Sequence, residues 1–208
     1  GDYNSRVLLL VDGHRINDNV YDTAPIGTEF ILDVDLIDRV EISRGPSSSL
    51  YGSNAFFAVV NIITRRGREL NGAEISGEAG SFKTAKGRAS FGTKWQNGSE
   101  ALISGTAYSS KGDRLYFPEF DQRNPFADPR AGNDGIAEYR DYDRFQSAFT
   151  KLSSRGFTFE GAYSSRIKGI PTGAYGSDFN VPGNQTTNRR AYADLKYDRA
   201  IGKQTDMT

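Results

Sequence analysis

The chain has no cysteine among its 208 residues, and only one histidine, one methionine and one tryptophan. Without cysteine there are no disulfides and no thiolate metal sites, and a single histidine provides no histidine pair for zinc. The usual general base and the strongest nucleophile are therefore nearly absent, and no nucleotide-binding or nucleophile-elbow motif occurs. The formal net charge is zero, so no global field attracts nucleic acid. Composition thus argues against histidine- or thiol-based catalysis and against nucleic-acid binding, and it leaves open a paired-carboxylate hydrolase, to which no motif points.

Long apolar segments are missing as well. The longest runs are Val7–Val11 and residues 55–60, far short of the roughly 18 apolar residues that mark a transmembrane helix. A membrane β-strand needs only every second side chain to be apolar, so a soluble β protein and a β-barrel both remain open. The 23 glycines, 11 tyrosines and 13 phenylalanines are typical of a chain with many short strands and turns.

The first 66 residues combine apolar strands with loops rich in glycine, proline and serine. Val7–Val11 has the continuous apolar sequence of a strand covered on both faces, and Asp12-Gly13 predicts a turn directly after it. Two further strands are predicted at 38–43 and 59–64, with a helical turn at 47–51 between them. This pattern indicates part of a small α/β domain.

From residue 67 to residue 208 the sequence consists of segments of about ten residues in which apolar and polar side chains alternate. The predicted strands are 72–79, 88–95, 100–109, 144–149, 157–163 and 191–198. The predicted short turns at 96–99, 153–156 and 200–203 alternate with long connections at 111–141 and 168–188. This arrangement is typical of an outer-membrane β-barrel, although a soluble β-sandwich shares the strand pattern. Residues 204–208 resemble the start of another strand.

The most specific motifs lie between residues 11 and 63. They are Val11-Asp12-Gly13, Val40-Glu41-Ile42, Arg44-Gly45-Pro46, Leu50-Tyr51-Gly52-Ser53-Asn54-Ala55 and Val60-Asn61-Ile62-Ile63. In this order and spacing they resemble the second half of the plug domain of TonB-dependent outer-membrane receptors. The family often has a Gly-Gly pair before its last plug strand, where this chain has Phe57-Ala58. The resemblance therefore does not extend to the detailed backbone geometry of the family's plug.

The resemblance implies a mainly β fold. A partial α/β plug at 1–66 is followed by antiparallel, up-and-down transmembrane strands of an incomplete β-barrel at 67–208. It also implies TonB-dependent, energised uptake of a ferric siderophore, haem or cobalamin across the outer membrane of a Gram-negative bacterium. The implied partners are TonB with its inner-membrane complex, the ferric chelate or cobalamin ligand, and outer-membrane lipid, without nucleic acid or cofactor. We expect the sequence to be an internal piece of a longer receptor. A passive porin, an adhesin and a soluble β-sandwich binding module are the alternatives.

The resemblance also suggests residues that hold the plug inside the barrel. In the family, plug arginines bind carboxylates of the barrel wall, and a guanidinium suits bidentate pairing with a carboxylate. Arg44 is the preferred candidate here, ahead of Arg65 and Arg66. The plug-motif and latch residues are Asp12, Gly13, Arg44, Gly45, Pro46, Tyr51, Gly52 and Asn61.

Ligand contacts are expected from the outward apex of the plug and from the long loops. Asn17, Asn19 and Tyr21 follow the Asp12-Gly13 turn and offer hydrogen-bonding groups and a ring. Exposed aromatic side chains on the loops provide stacking surfaces, and the candidates are Tyr116, Phe117, Phe120, Tyr175 and Phe179. A solvated loop without ligand contact is the alternative. The loop carboxylates lack the order of a calcium-binding loop, and His14 is expected at the surface, so no metal site is predicted.

Overall fold

The computed structural model describes residues 4–201 and 205–207. The first part of the chain forms a four-stranded mixed sheet with the spatial order β2-β1-β4-β3. Its strands are β1 (Val7–Val11), β2 (His14–Arg15), β3 (Ile37–Arg44) and β4 (Ala58–Thr64), with α1 (Ser48–Tyr51) between the last two. β1 and β4 run parallel, as expected for strands joined by a long crossover. We call residues 4–66 the plug.

A short helix, α2 (Gly67–Leu70), leads from the plug into a six-stranded antiparallel sheet, which we call the wall. Its strands are β5 (Gly72–Gly80), β6 (Thr84–Lys94), β7 (Glu100–Ser110), β10 (Asp143–Ser154), β11 (Phe157–Gly169) and β12 (Gln185–Tyr197). Two small two-stranded antiparallel sheets lie outside the wall: β8 (Arg114–Tyr116) with β9 (Ile136–Glu138), and β13 (Arg199–Ile201) with β14 (Thr205–Met207).

Local sequence patterns predict most of these elements correctly. β1 has the predicted bounds, α1 is the predicted helical turn, and the six predicted alternating segments are the six strands of the wall. The connection predicted at 168–188 is shorter than expected, because the β11–β12 ladder continues to Gly169 and Gln185. In the turn predicted at 200–203, residues 200 and 201 belong to β13, and 202–204 lie outside the described residues, as does 208.

The turns of the wall differ at its two ends. The connections 95–99 and 155–156 are short and lie at one end, which we call the short-turn end. The connections 111–142 and 170–184 lie at the opposite, long-loop end, together with the brief turn 81–83. Apart from that brief turn, this is the predicted alternation of short and long connections.

The plug packs against the inner face of the wall and shares an apolar core with it. Leu9, Val11 and Ile62 of the plug meet Leu102 and Phe149 of the wall. In β10 the aromatic side chains of the alternating pattern therefore point towards the plug. No helix in the described part of the chain is long and apolar enough to span a membrane.

The outer face of the wall has a different composition. Large apolar side chains are exposed there on every wall strand: Ile75, Phe91, Ile103, Leu152, Phe157, Phe159, Tyr163, Leu195 and Tyr197. The inward positions carry mainly charged and hydroxyl side chains, such as Arg88, Ser104 and Glu160, which the plug buries. The period-two pattern thus separates an apolar outer face from a polar inner face.

Candidate functional site at the plug–wall interface

Asp12 lies where the plug meets the wall, in the turn between β1 and β2. Asp12 and Gly13 both have positive φ angles, 47° and 86°. The side chain of Asn61 accepts a hydrogen bond from the Gly13 N–H at 3.0 Å, which brings these three predicted motif residues together. A Cβ at residue 13 would lie 3.7 Å from Nζ of Lys196, on the wall. The turn therefore presents Asp12 directly to the wall.

The Asp12 carboxylate joins the plug to strand β10. It accepts hydrogen bonds from Oγ1 of Thr64 at 2.5 Å and from Nζ of Lys151 at 2.8 Å. Lys196 on β12 donates to the main-chain oxygen of the same residue at 2.5 Å. The side chains of Asp12 and Lys151 are only 12% and 18% exposed, so the ion pair is largely shielded from water.

Further wall residues extend these contacts across three neighbouring strands. Lys151 lies 3.7 Å from Glu160 on β11, and the Tyr192 hydroxyl on β12 donates to Glu160 at 2.6 Å. The His14 ring stacks on Tyr192 with 4.3 Å between centroids, and its Nδ1 lies 3.6 Å from Asp194. His14, which we expected at the surface, keeps 31% of its side chain exposed but also contacts the wall. The Asp12 network comprises Asp12, His14, Thr64, Lys151, Glu160, Tyr192, Asp194 and Lys196.

The environment of Asp12 favours its ionised form. Burial alone would raise the pKa of this carboxyl. The hydrogen bonds with Glu160, Lys151 and Thr64, together with the positive charge of Lys151, outweigh burial and hold the pKa of Asp12 below its usual range. The plug therefore presents a carboxylate to the wall lysine at neutral pH.

A second charged cluster lies towards the long-loop end. Glu29 of the plug accepts hydrogen bonds from Arg166 on β11 at 2.9 Å and from Asn188 on β12 at 3.0 Å. The same guanidinium also binds Asp143 on β10, with Nε–Oδ1 and Nη2–Oδ2 distances of 3.0 and 2.8 Å. The Thr28 hydroxyl donates to Asp143 at 2.7 Å. This cluster links the 3₁₀ turn Gly27–Glu29 to the same three strands.

A third cluster surrounds Asp33, whose side chain is fully buried. Its carboxylate accepts hydrogen bonds from Lys86 on β6 and Thr106 on β7, both at 3.0 Å, and from the main-chain N–H of Asp35 at 3.0 Å. Burial opposes ionisation, but these donors hold the pKa of Asp33 below its usual value. Asp35 also lies 3.4 Å from Arg88 on β6.

The three clusters share one polarity, in which plug carboxylates face wall cations. We expected the reverse arrangement, with plug arginines facing wall carboxylates, and the sequence does not single out Glu29 or Asp33. Arg65 follows the expected polarity, at 3.8 Å from Glu74 on β5. Arg44 ends β3 on an exposed edge of the plug sheet, and no carboxylate of the described residues lies within ion-pairing distance of it. Its latch function stays a prediction.

The remaining plug-motif residues shape the loop around α1. Gly45 and Gly52 have φ angles of 96° and 76°, which other residues rarely adopt. The Gly45 N–H bonds to the carbonyl of Phe57 at 2.8 Å, closing the loop on β4. Pro46 is exposed, and Tyr51 is 49% exposed. These four motif residues thus lie away from the three charged clusters.

The predicted plug apex separates into structural and exposed residues. Asn17 is 5% exposed, and its side chain bonds to the main chain of Leu9, Val7 and Asp22. It fixes the loop and offers no free group to a ligand, which corrects its assignment as a contact residue. Asn19 is exposed, and Tyr21 is 75% exposed.

The aromatic residues of the long loops also divide into two groups. Phe120 and Phe179 are 7% and 6% exposed and stack at 4.5 Å, with Phe117 against Phe179 at 6.0 Å. They are therefore not the free stacking surfaces that we predicted, because the loops 111–142 and 170–184 pack against each other. We call these two loops the loop cap. Tyr116 and Tyr175 remain 58% and 89% exposed.

Comparisons with known proteins agree with this architecture. Residues 1–59 match the family model of the TonB-dependent receptor plug domain. Over 98% of its length the chain is 32% identical to the vitamin B12 transporter BtuB of Vibrio vulnificus, of which it spans 34%. The FrpB iron transporter of Neisseria meningitidis aligns with 96% of this chain and 30% of that chain, at 18% identity and a TM-score of 0.58. A variant of the ferric enterobactin receptor of Pseudomonas aeruginosa aligns with 95% of this chain and 31% of that chain, at 17% identity and a TM-score of 0.52.

The two structural likenesses establish the fold, in which an α/β plug lies against antiparallel strands of a β-barrel wall. The chain spans about a third of the length of the Vibrio vulnificus transporter. The family model is that of a receptor plug domain and the sequence relative is a transporter, so the family is not one of enzymes. On the plug match, the sequence relative and the shared fold, the chain belongs to the family of TonB-dependent receptors.

Proposed function

We propose that the receptor containing this chain takes up a scarce nutrient across the outer membrane of a Gram-negative bacterium, in a TonB-dependent and energised manner. The observation that carries the proposal is the set of charged contacts between plug and wall around Asp12, Glu29 and Asp33. Charged side chains can exchange such contacts for water when the plug moves, while the apolar core of Leu9, Val11 and Ile62 against the wall keeps the plug seated at rest. The interface therefore suits a plug that is firmly seated and yet separable.

In this proposal each part of the chain has one task. Residues 1–66 belong to the plug and residues 67–208 to the barrel, whose exposed outer aromatics contact outer-membrane lipid. TonB and its inner-membrane complex act on the plug through a segment outside this sequence. The ligand binds at the long-loop end, between the plug apex and the loop cap.

Cobalamin is the first ligand to test, because the relative at 32% identity is a vitamin B12 transporter. A ferric siderophore or haem is the alternative. The two iron-receptor structures, at 17–18% identity, support only the fold and do not bear on the choice of ligand.

The ligand contacts that we propose are the exposed members of the predicted set. Asn19 and Tyr21 lie on the plug apex, and Tyr116 and Tyr175 lie on the loop cap. Tyr175 is the most exposed of the three tyrosines and has a φ angle of 57°, so the backbone holds it in a conformation that few non-glycine residues adopt. A ring presented in this way is suited to stacking on a planar ligand.

The test separates binding from uptake. The complete receptor is expressed in cells with and without TonB, and radiolabelled cyanocobalamin and radiolabelled ferric enterobactin serve as probes. We expect surface binding of one probe in both strains and its uptake only when TonB is present. Equal uptake in both strains would refute the proposed function. Tyr175→Ser should weaken binding, whereas Tyr163→Ser, a matched tyrosine on the outer face of the wall, should leave binding unchanged.

A further inference from the structure

The outward face of the wall carries charge of only one sign. Every second side chain of each wall strand points away from the plug, and the strand register aligns these outward positions in rows across the sheet. None of these positions in the six described strands holds aspartate or glutamate, and the charged residues among them are Arg144 on β10 and Arg189 on β12. Both lie in the long-loop half of the sheet, whereas the short-turn end carries Phe157, Leu195 and Tyr197. The outward face therefore becomes cationic where its apolar band ends.

Two further cations lie beyond Arg144, in the connections at the long-loop end. Lys83 belongs to the turn between β5 and β6, and Lys111 directly follows β7. The Lys111 N–H donates to the carbonyl of Phe82 at 3.0 Å, which holds these two connections together. Lys83, Lys111 and Arg144 line one cavity of about 470 Å³. Among the described residues, no ion pair joins any of these three side chains to a carboxylate.

An aromatic ring holds the Arg144 side chain in place. Its guanidinium carbon lies 5.7 Å from the centroid of the Tyr142 ring. The Tyr142 hydroxyl donates to Oε1 of Gln185 at 2.6 Å, so the ring is itself fixed against β12. A cation–π contact leaves the guanidinium N–H groups able to donate, and a planar fork of donors suits phosphate oxygens.

The other groups around the cavity agree with an anion at the membrane surface. Its lining contains one carboxylate, Asp113, which accepts a hydrogen bond from the Arg114 N–H at 2.7 Å. Three cations thus outnumber one engaged carboxylate. Phe82 and Tyr139, which are 55% and 52% exposed, add two rings to the lining. Rings beside cations are typical of the depth at which lipid headgroups lie.

A groove in the outward face continues from this cavity towards the apolar band. It has a volume of about 610 Å³, and Arg144 lines both spaces. Its lining includes Gly87 and Ala107, which pair across β6 and β7 one row further from the long loops, and Ile167 on β11. Small outward residues leave room for an acyl chain to cover them. The headgroup of a lipid in this groove then lies at Arg144.

We propose that the groove and the cavity together bind one phosphorylated lipid of the outer leaflet, with an acyl chain in the groove and a phosphate held by the three cations. The inference goes beyond uptake and rests on the proposed function only for the position of the wall in the outer membrane. Lys111 begins the loop 111–142 and Arg144 follows its end, so a phosphate bound to both joins the two ends of this loop. The lipid therefore stabilises the base of the loop cap.

Lipid binding to the purified complete receptor tests the site. The probes are lipid A with two phosphates and the same lipid after removal of its phosphates, titrated and followed by native mass spectrometry. Arg144→Gln should weaken binding of the phosphorylated lipid by at least about tenfold, the factor that a charged hydrogen bond contributes. The matched control is Arg189→Gln, since this other outward arginine lines neither space, and it should change binding by less than about twofold.

Three results would overturn the site. The first is equal weakening by the two arginine substitutions, or unchanged binding in Arg144→Gln. The second is equally tight binding of the phosphate-free lipid. The third is displacement of lipid A by excess inorganic phosphate, which would indicate a site for phosphate alone.

A second pair of variants keeps all three cations and changes the groove. Ala107→Trp fills it, and Ala148→Trp places the same ring on the outward face of β10, outside both spaces. We expect Ala107→Trp to lose lipid A and Ala148→Trp to retain it. Full binding by Ala107→Trp would contradict an acyl chain in the groove.

Proteolysis tests the effect on the loop. Lipid A should slow cleavage within 111–142 in the unsubstituted receptor but not in Arg144→Gln, and equal cleavage with and without lipid A would overturn the link between lipid and loop. These assays involve neither TonB nor a transported ligand. Their failure therefore leaves the uptake proposal standing, whereas uptake without TonB would refute that proposal alone.

Discussion

The replacement Lys151→Met tests the energetic importance of the Asp12 network. It keeps most of the side-chain volume but removes the cation that lies 2.8 Å from Asp12 and 3.7 Å from Glu160. Two shielded carboxylate groups then face each other without a cation. Breaking a buried pair from one side costs roughly 3–5 kcal/mol. The residual exposure of Asp12 and Lys151, 12% and 18%, places the expected loss of plug stability at the lower end, about 3 kcal/mol.

Hydrogen exchange of the complete receptor measures this loss. Amides of β1 and β4 that exchange when the plug leaves the wall should do so about 100-fold faster in Lys151→Met, because each 1.4 kcal/mol is about a factor of ten. The matched control is Lys94→Met, also on the inner face but 44% exposed and 3.9 Å from its carboxylate. An exposed pair of this kind contributes about 0–1 kcal/mol, so exchange should change little.

A double-mutant cycle isolates the pair itself. Asp12→Asn alone should also destabilise the plug, since one of its two accepting oxygens becomes an NH2 group that faces a donor, either the Thr64 N–H or the Lys151 ammonium. Combining it with Lys151→Met should cost about 1.5–3 kcal/mol less than the sum of the single changes, the range for a charged hydrogen bond. Additive effects, or plug exchange unchanged in both single variants, would refute the reasoning that this contact holds the plug to the wall.

Three other predictions concern different parts of the interface and the loops. Because the pKa of Asp12 is lowered in the folded protein, this carboxylate stabilises the plug fully above its unfolded pKa of about 4. That stabilisation is lost as the pH falls through the lower folded pKa. Amide hydrogen exchange in the plug should therefore accelerate below about pH 4, and less steeply in Asp12→Asn. Gly67→Ala should unseat α2, because its Cβ would lie 2.1 Å from the Ala101 oxygen, and normal protection of the plug amides would contradict this. Phe179→Ala should destabilise the loop cap by about 3–5 kcal/mol through lost stacking on Phe120, and proteolysis should then cut the loops faster while the wall stays intact.

Local patterns in the sequence predict the elements well and their extent less well. The apolar run of β1 and the alternation in β5, β6 and β11 are each visible within a few residues. The ends of β11 and β12 near Gly169 and Gln185 cannot be predicted from the sequence pattern, because polar side chains there do not alternate with apolar ones. There the main-chain ladder continues to Gly169 and Gln185, whatever the side chains.

The plug–wall contacts depend on residues far apart in the chain. Asp12 and Lys151 are separated by 139 positions, and no local pattern relates them. One feature of the sequence does indicate that Lys151 has a partner in the interior. The short turn at 155–156 sets Lys151 opposite Glu160 on the polar face of a hairpin, and opposed charges there indicate an interior, partnered site. The choice of Arg44 came from family resemblance, which does not specify which side of this interface carries each charge.

The burial of loop aromatics could not be predicted from composition. Phe120 and Phe179 lie on different loops, and each looks exposed when its own loop is considered alone. They are buried because the two loops meet and stack them at 4.5 Å. Tyr175, by contrast, is exposed on the same cap, and its contact with a ligand stays a prediction.

A reversible crosslink between plug and wall tests most directly whether the plug separates at the Asp12–Lys151 contact during uptake. Cysteines replace Asp12 and Lys151 in the complete receptor and are joined by a short bifunctional thiol reagent that can later be cleaved. We expect the crosslinked receptor to bind ligand without taking it up, and cleavage to restore the uptake of the unlinked double variant. Uptake by the crosslinked receptor at the rate of the unlinked one would show that the plug does not leave the wall at this site.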